Sequence, residues 1–281
     1  MLRLLAYFLL LLASASGVAR EQLTYPLHHD GVNPESYAVD LLRLALSKAG
    51  GDFELQPSPQ PMSPGRSVYS LERNDGDVQV IWTMTTRERE AQLLPVRIPI
   101  YKGMIGWRIA LVRADEQQLL EQLRSVDDLA KLRIGQRSDW PDTPILRANH
   151  LTVETSTGYP GLFRMLVAKR FDLLPLEAVV VEHEQQRMAQ EGLGIAIDEH
   201  VILHYPSAFY YFTSKQRPEL AEAIRRGLDA TIADGSFERL FQQHFGATLR
   251  ALHLKQRRII ELQNPLLPPL PLARKELWYQ P

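Results

Sequence analysis

The sequence predicts an α/β protein, because segments with the apolar pattern of strands alternate with segments that have the pattern of helices. Its 281 residues are 45% hydrophobic and 23% charged, which is an ordinary globular composition. This length suits one large domain or two lobes of roughly 100 residues each. Two amphipathic helices at 217–246 end the alternating region. We expect largely parallel sheets, as is typical of alternating strands and helices.

Residues 1–19 have the pattern of a secretory signal peptide. One cation, Arg3, precedes an apolar run at 4–13, and small residues follow it. The run is short for a membrane span of ~20 residues, so we expect cleavage after Ala15 or Ala19 and export to the periplasm. An uncleaved anchor or a buried N-terminal helix is the alternative. The chain has no cysteine, which excludes disulfides, thiol catalysis and thiolate metal sites.

The chain after the signal begins with a predicted strand, and the other elements follow in a regular order. The turn signal Asn74-Asp75-Gly76 precedes a β-rich run. The predicted elements are a strand at 21–29, a helix at 36–50, a strand at 77–85, extended segments over 98–114, a short capped helix and a strand at 125–136, and a helix running into a strand at 159–176.

The two terminal helices have the clearest periodicity. Apolar residues recur every four positions from Leu220 to Ile232, which is the spacing of one buried helical face. Pro218 suits a first helical turn, and Asp234-Gly235 ends the helix. Ser236 is then expected to cap a second, shorter helix that has an aromatic face.

Short motifs stand in a characteristic order along the chain. They are Asp75-Gly76-Asp77-Val78 with Ile81, Thr86-Arg87-Glu88-Arg89 before Pro99, Ser125-Val126-Asp127-Asp128-Leu129, Lys169-Arg170-Phe171-Asp172, and the terminal helices with their Asp-Gly-Ser break. This order resembles the type II periplasmic solute-binding proteins, the bacterial extracellular solute-binding family 3, in particular the polar amino acid type. The resemblance covers 21–246. The chain departs from the family at Ile100 and in the segment "QRSDWPDTP", which favours a ligand other than a standard amino acid.

The resemblance implies a two-lobed type II periplasmic-binding-protein fold, in which two crossovers join α/β lobes around a cleft. The tail at 264–281 is rich in proline, so we expect it to form an extended strap on lobe 1, or to be disordered in its last residues. We expect lobe 1 at 20–103 and 205–281, lobe 2 at 104–204, and the crossovers near 103–109 and 203–209.

A ligand carboxylate is best held by an arginine side chain together with backbone N–H groups. By the resemblance, Arg89 occupies the position of the family's carboxylate-binding arginine, and Arg87 is the alternative because the spacing to Pro99 is loose. Thr85 and Thr86 lie at a strand end that suits hydroxyl and N–H donors, or a simple N-cap. A solvated helix start with ion pairs is the other reading of both arginines.

The remaining candidates would line the other walls of the cleft. Trp82 suits a flat apolar wall or a place in the core. By the resemblance, Glu177 falls near the acid that meets a ligand ammonium; the alternative is a surface glutamate. A loop before a helix predicted to begin at Pro144 could bind an anion or only cap that helix. The candidates in this loop are Ser138, Asp139, Trp140, Asp142 and Thr143.

No cofactor or metal site is predicted. The sequence has neither a P-loop nor a G-x-G-x-x-G motif, and it lacks G-x-S-x-G and H-E-x-x-H, so we expect no enzyme activity. The adjacent His28 and His29 would point opposite ways on a strand, which does not suit a metal. A net charge of −1 gives no reason to expect nucleic acid or an anionic membrane as a partner.

We therefore expect a monomeric periplasmic solute-binding protein. It would capture a small polar or carboxylate-bearing, amino-acid-like solute in an interlobe cleft, for an inner-membrane transporter, such as an ABC transporter, or for a sensor. The alternative is a protein of the same fold whose cleft is inert and which acts through protein partners.

Overall fold

The computed structural model describes residues 20–27 and 34–280, so the predicted signal peptide, His28 and His29 lie outside the described residues. In this part of the chain, no helix is apolar enough over a sufficient length to cross a bilayer. The strands are β1 (Glu21–Leu27), β2 (Phe53–Pro61), β3 (Ile81–Met84), β4 (Leu94–Val96), β5 (Trp107–Arg113), β6 (Arg133–Arg137), β7 (Thr152–Ser156), β8 (Leu174–Glu177), β9 (Ile195–Ile197), β10 (Val201–His204), β11 (Phe209–Thr213) and β12 (Arg258–Glu261). The helices are α1 (Pro34–Lys48), α2 (Pro64–Arg73), α3 (Arg87–Gln92), α4 (Val126–Leu129), α5 (Asp142–Ala148), α6 (Tyr159–Val167), α7 (Val181–Gln190), α8 (Pro218–Ala233) and α9 (Ser236–Ala251).

The first lobe is built on two small sheets. Strand β11 lies between β3 and β4 and is antiparallel to both, while β1 pairs in parallel with β2. Helix α8 packs closely on α1 at Gly227, where a Cβ would overlap the carbonyl oxygen of Ala45. The aromatic face of α9 packs on α1 as well, with the rings of Tyr37 and Phe245 4.8 Å apart. The apolar faces predicted for the two terminal helices are therefore packed in the core of this lobe.

The second lobe has a five-stranded sheet in the order β12-β10-β5-β8, with β9 also paired to β5. A second pair, the parallel strands β6 and β7, adjoins it through a bridge between Ile134 and Leu173. Phe171 packs directly over Gly135 of β6, where a Cβ would overlap its ring. This tight packing positions the loop after β6, which faces the first lobe.

The two predicted crossover segments lie side by side between the lobes. Trp107 pairs with His204 in an antiparallel register, and the backbone N–H of Tyr205 donates to the carbonyl of Gly106. Gly106 has no room for a side chain, because a Cβ would overlap the Tyr205 carbonyl oxygen. The crossovers therefore form one hydrogen-bonded hinge.

The C-terminal segment makes a third connection between the lobes. Strand β12 pairs in parallel with β10, so this part of the tail joins the sheet of the second lobe, whereas we expected all of 205–281 in the first. The strap at 264–280 then returns to the first lobe. Leu277 is fully buried there, Trp278 covers Gly103, and the N–H of Tyr279 donates to the carbonyl of Lys102.

Four further sequence-based expectations differ from the structure, and one of them is the shorter second terminal helix, because α8 and α9 both have 16 residues. We expected largely parallel sheets, but the described strands form three parallel and five antiparallel pairs. The reason is that strands returning through the hinge enter both sheets in the reverse direction. Gly235, with φ of 74°, occupies the N-cap of α9 in place of Ser236, whose N–H is bound by Asp234. Helix α5 begins at Asp142 and not at Pro144.

Candidate ligand-binding cleft

A cavity of about 450 Å³ lies between the lobes, a size that suits a small organic ligand. The first lobe lines it with the start of α2, with β3 and with α3. The second lobe contributes the loop between β6 and α5, the start of α6 and the end of β8. A ligand in this cavity would touch both lobes, and such contacts favour the closed arrangement of a two-lobed protein.

Arg89 lies on the first-lobe wall of the cavity. Thr86 caps the six-residue helix α3 by accepting the backbone N–H of Arg89, which fixes the backbone at the start of the helix. The Arg89 Nη1 donates to the carbonyl oxygen of Met84 at 2.7 Å, and among the described side chains no carboxylate lies within 4 Å of the guanidinium. Burial lowers the pKa of Arg89, and the more distant Glu88, Asp142 and Asp139 offset this only in part. This charge is therefore poorly compensated by the protein.

The other candidates near Arg89 lie outside the cavity. Arg87 is exposed, and its Nη1 donates to the carbonyl of Pro265 in the strap at 2.6 Å. Thr85 is buried, and its hydroxyl donates to Glu90 at 2.7 Å. Thr86 is the N-cap of α3, which is the second of the two roles that the sequence allowed, a ligand donor or an N-cap. Of the four polar candidates on this segment, only Arg89 borders the cavity.

Trp82 forms part of the apolar wall. The residue is 8% exposed and borders the cavity, and its ring lies edge-on to that of Tyr211 with the ring centres 6.4 Å apart. Other apolar lining residues, which the sequence did not single out, come from both lobes: Met62, Met84, Tyr101, Ile105, Val180 and Phe209.

Three of the five predicted residues in the loop before α5 line the cavity, namely Asp139, Trp140 and Asp142. Arg137 binds Asp139 through two contacts, with Nε at 2.9 Å and Nη2 at 2.8 Å, and lies 5.9 Å from the Trp140 ring centre. Ser138 and Thr143 do not line the cavity. The Thr143 hydroxyl donates to the carbonyl of Arg137 and so holds the loop in place.

A buried cation, Arg108, lies beneath the cavity at the start of β5 and was not predicted. Its Nη2 is 2.6 Å from Asp142 and its Nη1 is 2.9 Å from Glu177, two acids that line the cavity. Tyr205 donates its hydroxyl to Asp142. Burial lowers the pKa of Arg108, but the attraction of Asp142 and then of Glu177 outweighs it and raises that pKa above its ordinary value. Glu177 is thus bound to an internal partner.

No group of three or more His, Asp or Glu residues suited to a metal ion occurs in the described ranges. His204 contacts Glu261 of β12 through Nδ1 at 2.7 Å. Two guanidinium groups, three carboxylates and apolar walls line the cavity, and Arg108 lies beneath it.

The sequence matches the family of bacterial extracellular solute-binding proteins, family 3, over residues 18–247. No curated protein is significantly similar to it. Residues 248–281, which include β12 and the strap, follow the matched region.

Solved structures with the same fold include three ligand-bound binding proteins. An ancestral arginine-binding protein bound to arginine has 17% identity and a TM-score of 0.61, covering 81% of this chain and 99% of that chain. The GluR0 ligand-binding core from Nostoc punctiforme, in complex with L-glutamate, has 19% identity and a TM-score of 0.56, with 80% and 99% covered. The amino acid ABC transporter substrate-binding protein AbpA from Streptococcus pneumoniae, bound to L-arginine, has 17% identity and a TM-score of 0.59, with 81% and 95% covered.

Proposed function

Because the chain belongs to the bacterial extracellular solute-binding proteins of family 3, we propose that its interlobe cavity captures a small carboxylate-bearing, amino-acid-like solute. Arg89 holds the carboxylate, and Trp82 and the other apolar walls hold the body of the solute. Asp139, Trp140 and the residues around Glu177 close on it from the second lobe. The solute is then passed to a transporter or sensor in the inner membrane, as the transporter role of the AbpA protein suggests.

The observation that carries this proposal is the state of Arg89. A guanidinium that lines a cavity, is partly desolvated and has no carboxylate within 4 Å among the described side chains is a favourable site for an anion. A carboxylate placed there gains charge-assisted hydrogen bonds. It also removes the penalty that burial imposes on the free arginine. Arg137, which also lines the cavity, and Arg108, which lies beneath it, are already paired with acids.

A thermal-shift screen of the mature chain against amino acids and small carboxylic acids tests the proposal. A ligand at 100 times its Kd stabilises the folded state by about 2.7 kcal/mol, which gives a measurable rise in Tm. At least one acid in the screen should raise Tm. If none does, the cleft is inert, and action through protein partners becomes the better explanation.

The proposal includes export and binding without turnover. The N-terminal segment acts as a signal peptide that is cleaved after Ala15 or Ala19, so the protein recovered from the periplasm should begin at residue 16 or 20. Mass spectrometry of the intact protein measures that start directly. A bound solute released by denaturation should have the same mass as the solute that was added, and a changed mass would indicate an enzyme.

A further inference from the structure

Residues 263–266, at the start of the strap, contact both lobes, and we call them the interlobe segment. On the second lobe, Asn149 at the end of α5 donates through Nδ2 to the carbonyl of Gln263 at 2.8 Å and accepts the N–H of Gln263 at 2.9 Å. On the first lobe, the backbone N–H of Arg87, the first residue of α3, donates to the carbonyl of Leu266 at 3.0 Å. This second contact does not depend on the Arg87 side chain.

The interlobe segment limits the distance between these two attachment points. Gln263 and Leu266 are three residues apart in sequence, so their Cα atoms can be at most about 11 Å apart even in a fully extended chain. Helix α3 carries Arg89 and α5 follows the loop of Trp140, so this limit applies to two walls of the cavity. The end of α5 and the start of α3 therefore cannot move far apart unless one of the hydrogen bonds breaks.

The strap also contacts both crossovers of the hinge. Strand β12 pairs with β10, which leads into the second crossover, and the Asn264 Nδ2 then donates to the carbonyl of Pro206 at 2.9 Å. At the other end of the strap, Trp278 covers Gly103 at the start of the first crossover. A hinge motion changes the backbone angles of a few residues in such segments, so opening this hinge would also displace the strap or break its contacts.

The strap is held too firmly on the first lobe to follow such a movement. Leu277 is fully buried, and the Arg274 Nη1 lies 3.0 Å from Asp229 of α8. The contacts of the interlobe segment are formed in the arrangement in which both lobes line the cavity. Contacts that exist in only one arrangement shift the equilibrium toward it, so these contacts favour the closed lobes.

We propose that the interlobe segment restrains the hinge, so that the closed arrangement of the lobes predominates even without a ligand, and that Asn149 is the second-lobe anchor of this restraint. The segment follows the region that matches the family, so the restraint is an addition to the two crossovers. It sets how far the cleft opens for the entry and release of a solute. The restraint is measured without a ligand, so the result does not depend on the solute proposed for the cavity.

The distance across the cleft tests the restraint. The chain has no cysteine, so the substitutions Arg66→Cys and Arg164→Cys provide two positions for nitroxide labels without the removal of a native thiol. Both arginines are exposed, on α2 of the first lobe and on α6 of the second, and the first residues of both helices line the cavity. Double electron–electron resonance of the dialysed mature chain should show one narrow distribution of distances.

Removing the anchor should open the cleft. The substitution Asn149→Ala removes both hydrogen bonds to Gln263, and two such bonds correspond to about a 5- to 30-fold change in an equilibrium constant. The ratio of open to closed molecules should rise by this factor, as a second population at longer distance, and it should rise further when Asn264→Ala is added. Glu191→Ala is the matched control, because Glu191 is the C-cap residue of α7 in the same lobe and pairs with Arg187 of its own helix.

Two results would overturn the proposal. One is a wild-type distribution that already contains open and closed molecules in comparable amounts. The other is a double variant, Asn149→Ala with Asn264→Ala, that is folded by circular dichroism and has the wild-type distribution. If the double variant does not fold, Asn149→Ala alone is compared with Glu191→Ala, and equal distributions in these two variants would overturn the proposal in the same way.

Discussion

Replacing Arg89 with methionine should abolish most carboxylate binding while leaving the fold intact. Methionine keeps the length of the apolar part of the side chain and removes the charge. Of the guanidinium nitrogens, Nη1 is used by the Met84 carbonyl, so Nη2 and Nε remain for a ligand. One charge-assisted hydrogen bond contributes about 1.5–3 kcal/mol. At about 1.4 kcal/mol per tenfold change in Kd, its loss weakens binding about 10-fold to 150-fold, and the loss of two bonds weakens it further.

The unliganded variant should melt close to the wild type. The lost hydrogen bond to Met84 costs about 1 kcal/mol, whereas removing a partly desolvated and poorly compensated charge acts in the opposite direction. Arg87→Met is the matched control, because this arginine lies two residues away, is exposed and binds the strap. Titration calorimetry with the tightest acid from the screen measures both variants. A Kd for Arg89→Met within threefold of the wild-type value would refute the assignment of the carboxylate to Arg89.

Three further predictions concern the fold. Leu277→Ala in the strap should destabilise the protein by about 2–5 kcal/mol in urea titrations, because the side chain is fully buried. The control Leu272→Ala removes a side chain that is 63% exposed and should change stability by less than about 0.5 kcal/mol. Equal effects of the two substitutions would show that the strap is not docked. Gly227→Ala should destabilise the protein by about 1–3 kcal/mol, because the added methyl group overlaps the backbone of α1. The control Gly65→Ala, at an open position in α2, should stabilise the protein by about 0.5–1 kcal/mol. A stability change of the same sign in both variants would contradict the packing of α8 on α1. Burial tends to raise the pKa of Asp172, but hydrogen bonds from Arg133 of β6 outweigh this and lower it. The ionised carboxylate therefore stabilises the fold above pH ~4, and this stabilisation is lost as the pH falls through the lower pKa of the folded state. The difference in Tm between the wild type and Asp172→Asn should shrink from pH 7 to pH 2, and a constant difference would contradict this.

The family and its fold could be predicted because the terminal helices have a clear periodicity and the short motifs stand in the order that resembles the family. Trp82 and Arg89 reach the cavity because the segment that carries them ends a strand at the mouth of the cleft. Arg87 does not reach it, because two residues along a helix correspond to a rotation of about 200°. About half a turn of helix therefore separates Arg89 from Arg87, the alternative that the sequence left open.

The ion pairs of Arg108 and the pairing of β12 with β10 could not be predicted in the same way. Arg108 stands in an apolar strand, and its partners Asp142 and Glu177 are distant in sequence, so only the assembled lobe brings them together. One signal was available: a charge in a buried strand requires an opposite charge nearby. Strand β12 is four residues long and precedes a proline-rich tail, and a pattern that short does not specify a partner strand.

A crystal structure of the mature chain with its tightest-binding acid tests the central claim most directly. The carboxylate should lie about 2.7–3.2 Å from the Arg89 guanidinium, with the body of the acid between Trp82 of the first lobe and Trp140 of the second. Arg108 should still bridge its two acids. A ligand that touches one lobe only, or whose carboxylate lies away from Arg89, would contradict the claim that this cleft closes on a captured anion.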